Sequence, residues 1–317
     1  MATLSNPMTV ERQMDAGVNT ATRIQAVDFL RGLVMVLMAV DHVRVYSGVP
    51  PGGPDAAVFF TRWITHFCAP GFAFFAGTSA FLYGVKIQDK ATLARFLVTR
   101  GLMLVILELT VIRFFWTFNL NYSEFVLAGV IWMLGWCMVG LAAMIWLRPA
   151  VIGLTGLAII LLQGLFGFVP KAIGSDTFSR FWEFIYPSGN ETFEGISVLY
   201  SFVPWIGVIS AGYGFGTILL MSLERKRKIC IAIGTSAILL YLVIGSLVSI
   251  NNPSADAPFL FRLLNQNKYP ASALFLMMTL GPMILLLPFV EKAKGTVSNV
   301  LVMFGRVPFF YYLLTSC

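Results

Sequence analysis

Residues 229–250 read ICIAIGTSAILLYLVIGSLVSI, an uncharged apolar run that follows the basic residues Arg225, Lys226, Arg227 and Lys228. An α-helix rises about 1.5 Å per residue, so roughly 20 apolar residues are enough to cross the hydrocarbon core of a bilayer. This run therefore predicts a transmembrane helix with a basic end.

The rest of the chain has a similar composition. Of its 317 residues, 58% are hydrophobic and 12% are charged, and the mean hydropathy is +0.81. Polar side chains are too few to cover a soluble domain of this size, whereas a lipid-facing surface needs none. The sequence therefore predicts a membrane protein.

The expected fold is all-α, a polytopic bundle of transmembrane helices. Helices satisfy their own backbone groups in lipid, and the strand-length alternation of a β-barrel is absent. Residues 1–22 read as a polar tail without a signal peptide, and residues 23–317 as a single membrane domain. About nine candidate spans follow from the apolar runs, the last of them incomplete at the C-terminus: 27–46, 59–85, 96–118, 125–147, 151–169, 196–221, 229–250, 271–290 and 300 onward.

Basic residues predict the orientation of these spans. They concentrate in alternate connections, as cytoplasmic loops do, which puts the N-terminus in the cytoplasm of a protein that spans the plasma membrane several times. The longest loops of the opposite side, 170–195 and 251–270, are rich in Asn, Ser, Gly and aromatic residues. That composition suits a polar acceptor such as a sugar, and it is equally typical of ordinary solvated loops.

Cysteine spacing and net charge exclude several kinds of site. Cys68, Cys137, Cys230 and Cys317 are scattered, which predicts packing residues instead of a disulfide framework or a zinc site. The formal charge of +7 is explained by membrane topology, so no nucleic-acid partner and no metal are expected.

Ionisable residues lie within the first three predicted spans. A charged side chain at membrane depth is costly, so it usually faces the bundle interior or a water-filled cavity. At about 100° per residue, Arg31 and His42 share one helix face roughly 16 Å apart, and Asp28 lies one turn from Arg31. The full set is Asp28, Arg31, Asp41, His42, Arg44, Arg62, His66, Glu108 and Arg113.

A cation and an imidazole in line suit a long ligand with an anionic head and a reactive tail, such as coenzyme A. Arg31 would bind its phosphates beside Asp28, and His42 would act as general base or transient acyl carrier, oriented by Asp41 or Glu108. The simpler interpretation has Arg31 paired only with Asp28 and His42 bonded locally. His66, Glu108 and Arg113 are predicted cavity-wall residues.

Glycines and aromatic residues predict packing and interface contacts. Gly207, Gly212, Gly214 and Gly216 follow Pro204-Trp205, a pattern that favours close helix packing. Residues 114–118, FFWTF, are typical of an aromatic belt at a membrane interface.

Residues 27–42, VDFLRGLVMVLMAVDH, resemble the first helix of the transmembrane acyltransferase superfamily, whose signature is an arginine, ten residues and a histidine. Within that superfamily, the sequence resembles bacterial relatives of heparan-α-glucosaminide N-acetyltransferase, which implies a bacterial inner membrane. Further segments match that branch in order: 65–77 THFCAPGFAFFAG, 203–208 VPWIGV, 268–272 KYPAS, 279–282 TLGP and 304–312 FGRVPFFYY.

The resemblance implies transfer of an acetyl group from cytoplasmic acetyl-CoA to a carbohydrate across the membrane, with roles for Arg31 and His42. Two departures stand out: residues 47–57 lack the histidine that the lysosomal enzyme places after its first helix, and the chain ends soon after residue 312. The alternatives are a secondary transporter or channel, which also uses intramembrane charges, and an inactive truncated homologue. A homodimer is one assembly open to such a chain.

Overall fold

The computed structural model describes residues 24–48, 55–122, 125–187, 195–251 and 258–315. The predicted polar tail 1–22 and Cys317 lie outside these ranges. The described chain is helical apart from a short sheet, as the all-α prediction requires. In chain order, the α-helices are α1 Gln25–Tyr46, α2 Ala56–Thr65, α3 Cys68–Ile87, α4 Lys90–Leu107, α5 Arg113–Thr117, α6 Val130–Met144, α7 Pro149–Leu162, α8 Val169–Ile173, α9 Asp176–Trp182, α10 Phe202–Leu219, α11 Leu223–Asn251, α12 Phe259–Leu264, α13 Ala273–Val290, α14 Thr296–Arg306 and α15 Pro308–Thr315.

Two short strands, β1 Val126–Ala128 and β2 Ile196–Val198, pair in parallel. Each strand leads into a long helix, β1 into α6 and β2 into α10. A π-helix, Glu108–Ile112, joins α4 to α5, and a 3-10 helix, Gln163–Phe168, joins α7 to α8.

Five helical segments of the described chain are long and apolar enough to cross a membrane, by length and composition. Helix α1 is not among them because Asp28, Arg31, Asp41 and Arg44 interrupt its apolar sequence. The five segments are Ala56–Ile87, Pro149–Ile173, Phe202–Leu219, Leu223–Asn251 and Ala273–Val290.

Local sequence explains where several helices begin and end. Asp89 accepts hydrogen bonds from the backbone N–H groups of Ala91, at 3.2 Å, and Thr92, at 2.9 Å, so it caps the first turn of α4. Pro308 opens α15, and its ring cannot continue α14, so the last predicted span is divided at Val307.

The prediction that glycines of α10 permit close packing is confirmed. A Cβ atom built on Gly212 would lie 2.0 Å from the carbonyl oxygen of Phe74 in α3. On the other side of α10, Gly214 faces Gly153 and Gly207 faces Gly156, both in α7. Because the order of these contacts reverses along the chain, α7 runs antiparallel to α10.

Helix α1 crosses α14 at equally short range. A Cβ on Gly32 would lie 1.8 Å from the carbonyl oxygen of Leu301, and a Cβ on Gly305 would lie 1.8 Å from that of Asp28. Helix α1 also contacts α2, α3, α13 and α15. The helix that carries the predicted site is therefore held from several directions.

Three of the four cysteines lie within the described residues. Cys68, Cys137 and Cys230 are free thiols buried among apolar side chains, as expected of packing residues.

Candidate functional site

Two cavities meet beside the first half of α1. The first, here called the apolar cavity, has a volume of about 530 Å³ and lies between α1, α3, α4, α6 and α15. Its volume falls in the range of small-molecule sites, roughly 300–1,000 Å³. Its lining residues are Arg31, Met35, Phe72, Ala76, Ser79, Ala80, Tyr83, Phe96, Leu97, Arg100, Met103, Leu104, Val130, Ile131, Leu134, Met138, Pro308, Phe309 and Tyr312.

The second, here called the polar cavity, has a volume of about 690 Å³ and lies among the start of α1, the end of α3, the end of α10, the start of α11 and the end of α13. Arg31, Ser79 and Tyr83 line both cavities, so the two adjoin. The lining of the polar cavity is Ile24, Gln25, Val27, Asp28, Arg31, Ser79, Leu82, Tyr83, Lys86, Leu219, Leu220, Lys226 and Glu291.

Charged side chains give the polar cavity its character. Asp28 and Arg31 form the predicted ion pair, with 3.8 Å between the guanidinium and the carboxylate. Lys226 of α11 forms a second ion pair with Glu291, which follows α13. Lys86 contributes a third cation. A ligand with phosphate groups would find three cations in one cavity.

His42 is buried near the other end of α1, with 7% of its surface exposed. Its Nδ1 atom lies 3.0 Å from the backbone carbonyl oxygen of Thr315. A carbonyl oxygen only accepts, so Nδ1 carries the proton in this hydrogen bond and the neutral ring keeps its lone pair on Nε2. The imidazole is thereby prepared to accept a proton at Nε2.

Two aromatic rings hold the imidazole edge-on. The ring of Trp116 lies 5.3 Å from that of His42, and the ring of Tyr312 lies 5.5 Å from it. Tyr312 also lines the apolar cavity, so one ring separates that cavity from His42. Arg31 and Tyr312 both line the apolar cavity, so it extends from Arg31 to the ring that contacts His42.

Asp41, the other predicted catalytic residue, does not orient the imidazole. Its carboxylate pairs with Arg44 at 2.9 Å and accepts a hydrogen bond from the Thr65 hydroxyl at 3.2 Å. The orienting group of His42 is the Thr315 carbonyl, where the sequence predicted a carboxylate of Asp41 or Glu108.

Glu108 lies at the start of the π-helix and is 2% exposed. Its carboxylate accepts hydrogen bonds from the backbone N–H groups of Gly129, Ile131 and Trp132 at the beginning of α6. Its Oε2 atom has no hydrogen-bond partner among the described residues. Glu108 therefore caps α6 just behind Ile131, which lines the apolar cavity.

Arg113, predicted as a wall residue, lines neither the polar cavity nor the apolar one. Its guanidinium donates hydrogen bonds to the backbone carbonyls of Asn119, Asn121 and, at 2.7 Å, Phe125. It also lies 4.1 Å from the centre of the Tyr122 ring. Its role is to shape the loop that follows α5.

His66, the remaining predicted wall residue, is buried at the junction of α2 and α3, with 4% of its surface exposed. Its ring lies 5.4 Å from that of Phe275, and its Nδ1 atom has no hydrogen-bond partner within the described part of the chain. His66 lines neither the polar cavity nor the apolar one.

Several site residues escaped the sequence reasoning. Lys226 was noted only as part of a basic run, Trp116 only as part of an aromatic belt, and Tyr312 only as part of a family segment. Glu291 and the Thr315 carbonyl had no signal at all, because a backbone oxygen leaves no mark in the residue pattern. Their proximity to α1 depends on how the last helices pack.

The family model described as heparan-alpha-glucosaminide N-acetyltransferase, catalytic, matches residues 23–249. The chain belongs to this family. No curated protein matches the chain.

Membership in the family confirms the resemblance seen in residues 27–42, 65–77 and 203–208, all within the matched region. The segments 268–272, 279–282 and 304–312 lie beyond it, so their resemblance stays a prediction. The family and the apolar helices together indicate an integral membrane acyltransferase.

Proposed function

We propose that the protein transfers an acetyl group from cytoplasmic acetyl-CoA to a carbohydrate acceptor on the other side of a bacterial inner membrane. The observation that carries this proposal is Arg31, which lines both a polar and an apolar cavity. Coenzyme A has the same division into a phosphate-bearing nucleotide and a long, weakly polar arm. The family to which the chain belongs supports the choice of donor.

In this proposal the polar cavity receives the phosphates. Arg31, Lys86 and Lys226 would bind them by charge-assisted hydrogen bonds, which are about twice as strong as neutral ones. The pantetheine arm would then lie in the apolar cavity and bring the thioester toward Tyr312 and His42.

The chemistry assigned to His42 is general-base catalysis. Nε2 would take the proton from an amine or hydroxyl of the acceptor as that group attacks the thioester carbonyl. The C–S bond then breaks, and the proton passes to the departing thiolate sulfur. Burial of the imidazole behind Tyr312 and Trp116 limits access of water, which would otherwise hydrolyse the thioester.

The proposed topology has nine passes with the N-terminus in the cytoplasm. The polar cavity then opens toward the cytoplasm, where acetyl-CoA is present. Its walls include the ends of helices that carry basic residues, among them Lys86 and Lys226, which is the distribution expected of the cytoplasmic face.

Binding of coenzyme A to the purified protein tests the proposal. We expect wild type to bind coenzyme A, and Arg31→Ala to bind it about tenfold or more weakly, because a charge-assisted hydrogen bond is lost. Binding of pantetheine, which lacks the nucleotide phosphates, should change little. Isothermal titration calorimetry in detergent measures both.

The matched control is Arg95→Ala, since Arg95 is an exposed cation that lines neither cavity. Absence of coenzyme A binding in wild type would reject the acyltransferase in favour of a transporter, which has no need of that ligand. Unchanged affinity in a folded Arg31→Ala variant would reduce Arg31 to the partner of Asp28.

A further inference from the structure

Lys226 differs from the basic residues beside it. Arg225, Arg227 and Lys228 are exposed, whereas Lys226 is 5% exposed and lines the polar cavity. A basic residue that only marks topology needs water around its ammonium group. The buried ammonium group of Lys226 therefore needs an anionic partner.

The partner that the structure provides, Glu291, uses only one of its two carboxylate oxygens in the described part of the chain. One carboxylate oxygen, Oε1, pairs with the Lys226 ammonium. The other, Oε2, is buried with no hydrogen-bond partner in the described part of the chain. A buried oxygen without a partner keeps its full desolvation penalty, so this carboxylate is less firmly held than a fully bonded one.

The position of Lys226 favours an anion in addition to Glu291. Lys226 lies in the first turn of α11, where the helix dipole attracts negative charge. Glu291 lines the same cavity as Lys226, so it stands where an entering anion would meet the ammonium. A phosphate group offers more negative charge and more acceptor oxygens than a carboxylate.

We propose that Glu291 is an exchangeable counterion, which neutralises Lys226 in the ligand-free protein and is displaced by a phosphate group of the acyl donor. This inference rests on the proposed function, because the phosphate comes from coenzyme A. Between turnovers, Glu291 neutralises the buried Lys226 ammonium group. Because a phosphate group is needed to displace Glu291, the site is selective for donors that carry phosphate.

The proposal predicts a gain of affinity on removal of a charge. Glu291→Gln should bind coenzyme A about three- to tenfold more tightly, since coenzyme A no longer competes with the Glu291 carboxylate for Lys226. Lys226→Met should bind it about tenfold or more weakly. The variant that combines Glu291→Gln with Lys226→Met should show no gain. Its affinity for coenzyme A should equal that of Lys226→Met within about twofold.

Glu224→Gln is the matched control. It also removes one negative charge, from the turn of α11 that carries Lys226, but Glu224 is exposed and does not line the polar cavity. Its affinity for coenzyme A should equal that of wild type at fixed ionic strength. Pantetheine should bind wild type and Glu291→Gln equally, and inorganic phosphate should compete with coenzyme A more strongly in Glu291→Gln.

The outcomes separate the inference from the proposed function. Wild type that binds no coenzyme A would defeat the proposed function. Coenzyme A binding that is unchanged or weakened in folded Glu291→Gln, or a gain shared by pantetheine, would overturn the exchange while leaving the function intact. If Glu291→Gln does not fold, Glu291→Asp serves instead, because its shorter side chain loosens the pair and should give a smaller gain.

Discussion

At the scale of single residues, the state of His42 is set by a backbone atom. The Thr315 carbonyl fixes the proton on Nδ1 and leaves Nε2 free to accept one. Asp41 is engaged by Arg44 and Thr65 and takes no part in that hydrogen bond. His42 and the carbonyl that orients its ring are thus far apart in the sequence.

Replacement of His42 by alanine should separate binding from chemistry. The variant should bind coenzyme A about as well as wild type, but lose roughly two to four orders of magnitude in turnover, the usual effect of removing a positioned base. Turnover of wild type should rise as the imidazole loses its proton with increasing pH, since only the neutral ring accepts a proton. Transfer of a radiolabelled acetyl group to glucosamine, used as a small acceptor, measures turnover.

The control is Ser47→Ala, an exposed position just beyond the same end of α1. Its turnover should match that of wild type. Turnover close to wild type in His42→Ala would remove His42 from the mechanism, and His66 would be tested next.

At the scale of helices, the site depends on how closely α1 and α14 approach each other. Gly32 and Gly305 allow each backbone to touch the other, and α15, which follows α14, brings Tyr312 and Thr315 to His42. Any separation of α1 from α14 therefore moves the wall of the apolar cavity and the group that orients the imidazole.

Gly305→Ala should destabilise the protein and weaken the site together. Its Cβ would lie 1.8 Å from the Asp28 carbonyl oxygen and 2.7 Å from the carbonyl carbon, both backbone atoms that cannot rotate away. Overpacking of this kind costs about 1–3 kcal/mol, so the thermal midpoint should fall by several degrees and coenzyme A affinity should fall with it. Differential scanning fluorimetry in detergent reports the midpoint.

The matched control for that variant is Gly164→Ala. Gly164 lies in the 3-10 helix, and a Cβ there would meet nothing within 4 Å. Its thermal midpoint should stay within about a degree of wild type, because exposed substitutions away from special contacts have small effects. Equal midpoints for the two variants would contradict the close crossing of α1 and α14.

At the scale of the whole molecule, basic residues mark the end of the bundle that holds the polar cavity. The start of α11, with its basic residues, lies at the polar cavity. Helices α7 and α10 are antiparallel, so the start of α7 lies beside the end of α10. Helix α8 comes after the other end of α7 and therefore lies far from the end of α10. These relations give the proposed topology a direct test.

Single-cysteine variants should show opposite sidedness. Ser222→Cys, just before α11, should react with an impermeant maleimide only from the cytoplasmic side, and Ala172→Cys, in α8, only from the opposite side, because both positions are exposed. Labelling of intact cells and inverted vesicles, in a Cys317→Ser background, makes the comparison.

The remaining cysteines provide the control, since Cys68, Cys137 and Cys230 are buried and should stay unlabelled in that background. Labelling of both positions from the same side would refute the topology and the direction of acetyl transfer.

The sequence by itself determined the helical class of fold, the family and the first pair of candidate site residues. Long apolar runs indicate membrane helices, since a backbone in lipid must satisfy its own hydrogen bonds. Arg31 and His42 share a helix face by simple periodicity. The ion pair of Arg31 with Asp28 follows from the same local geometry. Tertiary structure alone decided the rest, because contacts between Lys226 and Glu291, or between His42 and Thr315, join residues far apart in the chain. Such contacts depend on which glycines let helices touch, and no local pattern encodes that partnership.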